Sequence, residues 1–174
     1  MGMSNEVLYV YDLPKDVQMA NIHEFYKKNV GDCVPEIKRN PNKLFYTAIV
    51  RFNSSNDFRK ACDQFQYPVI KGRECRSLPY DRDFASNKNL AANLFVKGLA
   101  KTTTNQALHT HFAKVGPVKS VKVSIEENFE SRCYGFVQFE KEEDAQKALN
   151  ELADNELDGY KLIIEKYSAR NPTH

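Results

Sequence analysis

Along Arg132–Phe139 the side chains alternate in kind. Read with a period of two, Tyr134, Phe136 and Gln138 share one side of a strand, and Cys133, Val137 and Phe139 share the other. The second set is apolar and compact, as a core face requires. The first leaves two large aromatics beside Arg132 on the side where a lone sheet would show polar residues. In Leu94–Leu99, Leu94 and Val96 fall inward and Phe95 and Lys97 outward, so pairing of the two strands gathers Phe95, Lys97, Arg132, Tyr134 and Phe136 on one face. Alternation along Val118–Val123 marks a further strand, and Gly159 precedes a last one at Leu162–Ile164. Helical spacing links Leu108, Phe112 and Val115, and again Ala145, Ala148, Leu149 and Leu152.

The same plan occurs earlier in the chain. Leu8–Leu13 matches the strand at Leu94 with an offset of 86, and Ala48–Phe52 matches Gly135–Phe139 with an offset of 87. The second offset also carries Asp57, Lys60 and Ala61 onto Asp144, Lys147 and Ala148, and Gly72 onto Gly159. A shift so constant means two copies of one small domain. In the first copy Val17, Ile22, Phe25 and Tyr26 supply an apolar helix face. Ser54, three residues before Asp57, has the spacing of a capping box, opening a helix with Phe58, Ala61, Cys62 and Phe65 inward. Each copy therefore reads β-α-β-β-α-β. The expected class is α+β, with two ferredoxin-like domains, each a four-stranded antiparallel sheet with both helices on one face.

Domain boundaries are expected at 5–83 and 92–170, with a linker at 84–91. The stretch Asp81–Asn89 is polar and shows little helix or strand pattern. Fully extended, the segment from Tyr80 to Asn93 spans no more than about 45 Å. Exposed aromatics flanked by Arg can stack on unpaired bases, so a single nucleic-acid strand could run across both copies.

Charge refines this picture. The 174 residues carry a net charge of +2, with 13 basic and 11 acidic residues before Phe84. Nucleic-acid affinity should thus lean on stacking and hydrogen bonds more than on counterion release, which favours single strands over duplexes. Lys97, Lys119, Lys122, Arg132 and Lys166 fall on or beside strands of the second copy. Cys33, Cys62, Cys75 and Cys133 lack C-x-x-C spacing and a nearby His pair, so they read as core or strand thiols rather than zinc ligands. No apolar run reaches membrane-spanning length. Met1-Gly2 lacks the Ser or Thr that myristoylation wants at position 6, where Glu6 stands. The Asn53-Ser54-Ser55 sequon would go unused in an intracellular chain, and the expected location is cytoplasm, nucleus or both.

Catalytic patterns are missing. His109 and His111 are two apart on a predicted helix and point in different directions. Neither G-x-x-x-x-G-K-[ST] nor G-x-G-x-x-G occurs, and Glu126–Glu127 and Glu142–Glu143 read as solvated charges. Small hydrolases such as acylphosphatases share the plan but need an anion-binding loop. The reading is a binding protein, with no cofactor and no metal.

Arg132–Phe139 resembles the RNP1 signature of the RNA recognition motif, basic-Gly-aromatic-Gly/Ala-Phe-Val-x-aromatic, with Cys133 in place of the first Gly. Leu94–Leu99 resembles its partner strand, RNP2. More closely, the chain resembles the first two RNA recognition motifs of the poly(A)-binding protein family. That likeness extends to Val69–Gly72, the Arg82-Asp83 pair, Asn93–Lys97 and Ser131–Val137. The resemblance implies a trough for adenylate-rich single strands. It assigns stacking to Tyr9, Phe95, Tyr134 and Phe136, and polar or phosphate contacts to Lys97, Lys122, Arg132 and Lys166. The family usually carries further copies, so a longer parent protein is expected. The first copy departs from the pattern, with Thr47 and Ile49 where RNP1 has its stacking aromatics and a short Arg39–Lys43 loop. Tyr9, Tyr11, Phe45 and Arg51 still fall on the outward parity, and Tyr11, where the family has a small residue, either stacks on a base or blocks it. Two readings stand. Both copies bind mRNA, with A-rich sequences among the targets, or the second binds RNA while the first docks a protein of an mRNP.

Overall fold

The computed structural model describes residues 6–80, 90–152 and 155–168. The chain divides into two units, Met1–Ser86 and Asn87–His174, each with its own four-stranded sheet. The linker expected at 84–91 lies mostly outside the described residues. Its end, however, joins a 3-10 turn at Leu90–Ala92.

In the first unit, strands β1 (Val7–Leu13), β2 (Cys33–Lys38), β3 (Tyr46–Phe52) and β6 (Arg76–Pro79) stand in the order β2-β3-β1-β6, all neighbours antiparallel. Leu8, Val10, Ala48 and Val50 project to one side. There they share a core with Ile22 and Tyr26 of α1 (Met19–Asn29) and Ala61 of α2 (Ser55–Gln64). Both helices thus cover one face, because only that face offers an unbroken apolar set. Ser54 caps α2, its hydroxyl accepting the Asp57 N–H at 3.1 Å. Val17 is buried, but it precedes α1 and bonds to Pro14 O instead of joining the helical face. Phe45 likewise lies just before β3 and not within it.

The second unit repeats the plan. Its sheet is built from β7 (Asn93–Lys97), β8 (Val118–Ile125), β9 (Ser131–Phe139) and β12 (Ile163–Lys166), in the order β12-β7-β9-β8. Helices α3 (Asn105–Ala113) and α4 (Glu142–Glu151) bury Leu108, Phe112, Ala145 and Ala148 with Leu94, Val96, Val121, Val137 and Phe139. Val115 falls beyond the end of α3. Thr104 caps α3 through the Ala107 N–H at 3.0 Å. The adjacent Asn105 side chain accepts the N–H of Val123 at 2.7 Å.

Smaller devices recur as well. Each unit carries a two-residue hairpin, β4 (Val69–Ile70) with β5 (Arg73–Glu74), and β10 (Glu156–Leu157) with β11 (Tyr160–Lys161). Its turn needs two positive φ angles, supplied by Lys71-Gly72 (54°, 72°) and Asp158-Gly159 (53°, 85°). Each hairpin is tied to the segment before the first helix, by Lys71 to Asp16 at 3.1 Å and by Thr103 to Asp158 at 2.7 Å. Gly31 and Gly116 leave room for the carboxyl groups of Asp57 and Asp144, which a Cβ would strike. This accounts for the aspartates sharing the repeat offset.

The four cysteines are free. Burial pushes the Cys33 and Cys62 thiols up to about 11 and the Cys75 thiol up to about 12. Cys133 corrects the sequence reading. It is not a core residue but partly exposed, with φ at +66°. The reason is an irregularity in β9, whose register with β8 jumps from Val123↔Gly135 to Ile125↔Ser131. A second irregularity, at Lys119, lets Val118 and Val121 both face the core.

Candidate nucleic-acid interface

The helix-free face of the second unit can be built row by row, since residues directly opposite in antiparallel strands share a side. Glu165 lies opposite Phe95, Phe95 opposite Phe136, and Phe136 opposite Lys122. The next row runs Ile163, Lys97, Tyr134, and the row on the other side holds Asn93, Gln138 and Ser120. The expected rings therefore do come together, with centroids of Phe95 5.6 Å from Tyr134 and 5.4 Å from Phe136. Gly135 makes this possible on the opposite side, because a Cβ there would stand 2.6 Å from Lys122 O.

Phe95 corrects the expectation of an open stacking ring, as it is only 3% exposed. Tyr134 and Phe136 flank it, and the Lys97 Nζ stands 5.9 Å from its centroid. It supports the platform, and the partly exposed rings are Tyr134 and Phe136. Lys97 pairs with Glu165 at 3.4 Å and Arg132 with Glu126 at 3.2 Å, so two expected phosphate contacts already have acidic neighbours. Lys122 sits on the face beside Phe136. Lys166 does not, because its register partner is the core residue Leu94, which turns it to the helix side. In this unit the Asn93 Oδ1, Ser124 Oγ and Arg132 Nε are buried without a hydrogen-bond partner among the described residues. Buried polar atoms normally have partners, so these three leave hydrogen-bonding capacity unused.

The first unit presents a different surface. Tyr9 lies opposite Ile49 and Leu78, and Tyr11 opposite Arg76. Tyr9 stacks on Tyr80 (5.2 Å, 21°) and tilts against Tyr11 (6.2 Å). The Arg76 guanidinium covers the Tyr11 ring at 5.2 Å and is held by Asp12 at 2.7 Å, both ends of that pair being largely buried. Burial raises the Tyr11 phenol, against the opposing pull of Arg76. Asp12 takes φ +68°, the place filled in the second unit by Gly98 at +79°. Ile49 is 7% exposed, and Arg51 pairs with Glu36 at 3.7 Å. A hydrogen bond from Lys38 holds the Glu36 carboxyl below its ordinary range. Phe45, before β3, is partly exposed.

Sequence reasoning missed Arg76, Tyr80, Asn93, Glu165 and Tyr167. The two tyrosines were detectable. They are 87 apart, each follows the last strand of its unit, and each N–H bonds back to the first strand, at Val7 O (2.7 Å) and Asn93 O (3.2 Å). Each then returns a ring to the face, Tyr80 to Tyr9 and Tyr167 to Phe136 at 6.0 Å.

Residues 94–163 match the family model of the RNA recognition motif, so the second unit carries an RNA recognition motif domain. Over 166 residues the chain is 35% identical to the polyadenylate-binding protein, cytoplasmic and nuclear, of Chaetomium globosum. That alignment takes in 92% of this chain and 21% of the relative, so the chain spans about a fifth of the relative's length. Among solved structures it is similar to a Sxl-lethal protein/RNA complex (23% identity, 94% of this chain and 100% of that one, TM-score 0.47). It is also similar to the first two RRM domains of yeast poly(U) binding protein Pub1 (25% identity, 93% and 99%, TM-score 0.44). The domain match supports RNA binding by the second unit.

Proposed function

We propose that this protein binds single-stranded RNA, mRNA in particular, through the helix-free sheet faces of two tandem domains of the RNA recognition type. The carrying observation is the Tyr134–Phe136 pair, partly exposed and backed by the buried Phe95 ring. Rings so mounted stack on unpaired bases at little entropic cost. The partly exposed side chains of Asn93 and Arg132 supply further hydrogen-bonding groups on this face. Likeness to the polyadenylate-binding relative favours A-rich targets and a location in cytoplasm, nucleus or both; the setting we propose is mRNA metabolism, export or translation control.

A second reading gives the first unit to protein docking in an mRNP. It is favoured by the coverage of Tyr11 by Arg76 and by an exposed Val34 on edge strand β2. Polarisation titrations with short A-rich RNA test the main reading. Phe136→Ala and Tyr134→Ala should each lose about 1–3 kcal/mol, and unchanged affinity removes it. NMR shifts confined to the second unit favour docking by the first, whereas shifts at Tyr9 and Arg51 favour binding by both.

A further inference from the structure

One row of the second sheet reads, across four strands, carboxylate, ring, ring, ammonium: Glu165, Phe95, Phe136, Lys122. This order has a direction. Strands are about 4.8 Å apart, so Glu165 lies roughly 10 Å from Phe136, near the far edge of a purine stacked there. A phosphate is attracted at the Lys122 end, whereas at the other end the Lys97 ammonium offsets the Glu165 carboxylate. The sugar-phosphate backbone of a nucleotide stacked on Phe136 therefore runs on the Lys122 side, and its base edge points toward Glu165. At that edge wait two groups of opposite hydrogen-bonding character, the Glu165 carboxylate and the Lys97 ammonium, 3.4 Å apart and each with a side chain 44% exposed.

We propose that Glu165, assisted by Lys97, makes guanine the preferred base on the Phe136 platform, an inference that rests on the RNA-binding reading above. Guanine alone offers two adjacent donors, N1–H and N2–H, which a carboxylate accepts together, with the O6 acceptor next to them for the ammonium. Adenine and cytosine offer one amino donor beside a ring acceptor, giving one bond to each side chain. Uracil has a single N3–H flanked by two carbonyl oxygens, one of which must face the carboxylate. The resulting order is guanine first, adenine and cytosine next, and uracil last. Neither the ring pair nor phosphate contacts produce this order, because stacking tolerates every base and phosphate contacts carry no sequence information.

The test uses fluorescein-labelled hexaadenylate and variants in which a single G, C or U is moved through each position, titrated by polarisation against the whole chain. At one position G should bind about fivefold or more tighter than A, with U weakest there. In Glu165→Ala and Glu165→Gln the advantage of G should vanish, since alanine has no acceptor and the amide only one acceptor oxygen. Thermal melts matching the parent protein establish that both variants are folded. The inference is overturned if hexamers bind but no position favours G, or if the advantage survives both substitutions. Failure of every hexamer to bind the parent protein would instead overturn the RNA-binding reading itself.

Discussion

Phe95→Ala separates scaffold from contact on the second sheet. The ring is 3% exposed, with Tyr134 and Phe136 packed against it and the Lys97 ammonium near its face. Truncating a buried phenylalanine costs about 3–5 kcal/mol. The low end applies, because the partly exposed Tyr134 and Phe136 rings can tilt into the space left behind. A loss of about 3 kcal/mol is a large share of a small domain's stability. At about 4–8 °C per kcal/mol, melting of the second unit should fall by roughly 12–24 °C. Tyr134→Ala, at a partly exposed position, should cost about 1 kcal/mol or less in stability while still weakening RNA. Urea titration of the whole chain, followed by 1H–15N spectra that resolve the two units, measures both quantities. A Phe95→Ala loss under about 1 kcal/mol would refute the burial argument and return Phe95 to the set of free stacking rings.

The remaining expectations concern backbone strain and acid stability. Cys133 holds φ +66°, a conformation costing a non-glycine residue about 1–2 kcal/mol, against about 0.4–1 kcal/mol of extra unfolded-state entropy for glycine. Cys133→Gly should therefore stabilise the second unit by about 0.5–1 kcal/mol by that difference, and a lower melting temperature in calorimetry would contradict this. His111 is buried, and desolvation lowers its pKa from 6.5. The folded state thus prefers the neutral ring, so its contribution is present above pH 6.5 and is lost as pH falls through 6.5 toward the lower folded value. Urea midpoints of the second unit should drop between pH 7 and pH 5, and His111→Gln should flatten that drop.

Local pattern was enough to define strands, helices and the repeat. Leu94, Val96, Val137 and Phe139 fall inward because a strand's two faces have period two, a property of the backbone alone. Ser54 capped its helix because the donor it satisfies lies three residues away. The repeat offset likewise carried the turn glycines and the Asp57–Asp144 correspondence. Parity failed where the ladder slips: the irregularity at Cys133 moved a residue out of the core. That slip has no local signature, since register depends on which neighbour each strand finds. Lys166, assigned to phosphate by the family resemblance, is turned to the helix side by the regular pairing of β12 with β7.

Side-chain neighbourhoods across strands were equally out of reach. The burial of Phe95, the Lys97–Glu165 and Arg132–Glu126 pairs, and the Asp12–Arg76 contact join residues from 6 to 68 positions apart in the chain. Sequence therefore put Phe95, Tyr134 and Phe136 on one face, but not Asn93, Glu165 and Tyr167 beside them. Tertiary structure decided which rings remain open on it and which charges are already balanced, because exposure and charge pairing are set by neighbours that only the folded sheet brings together.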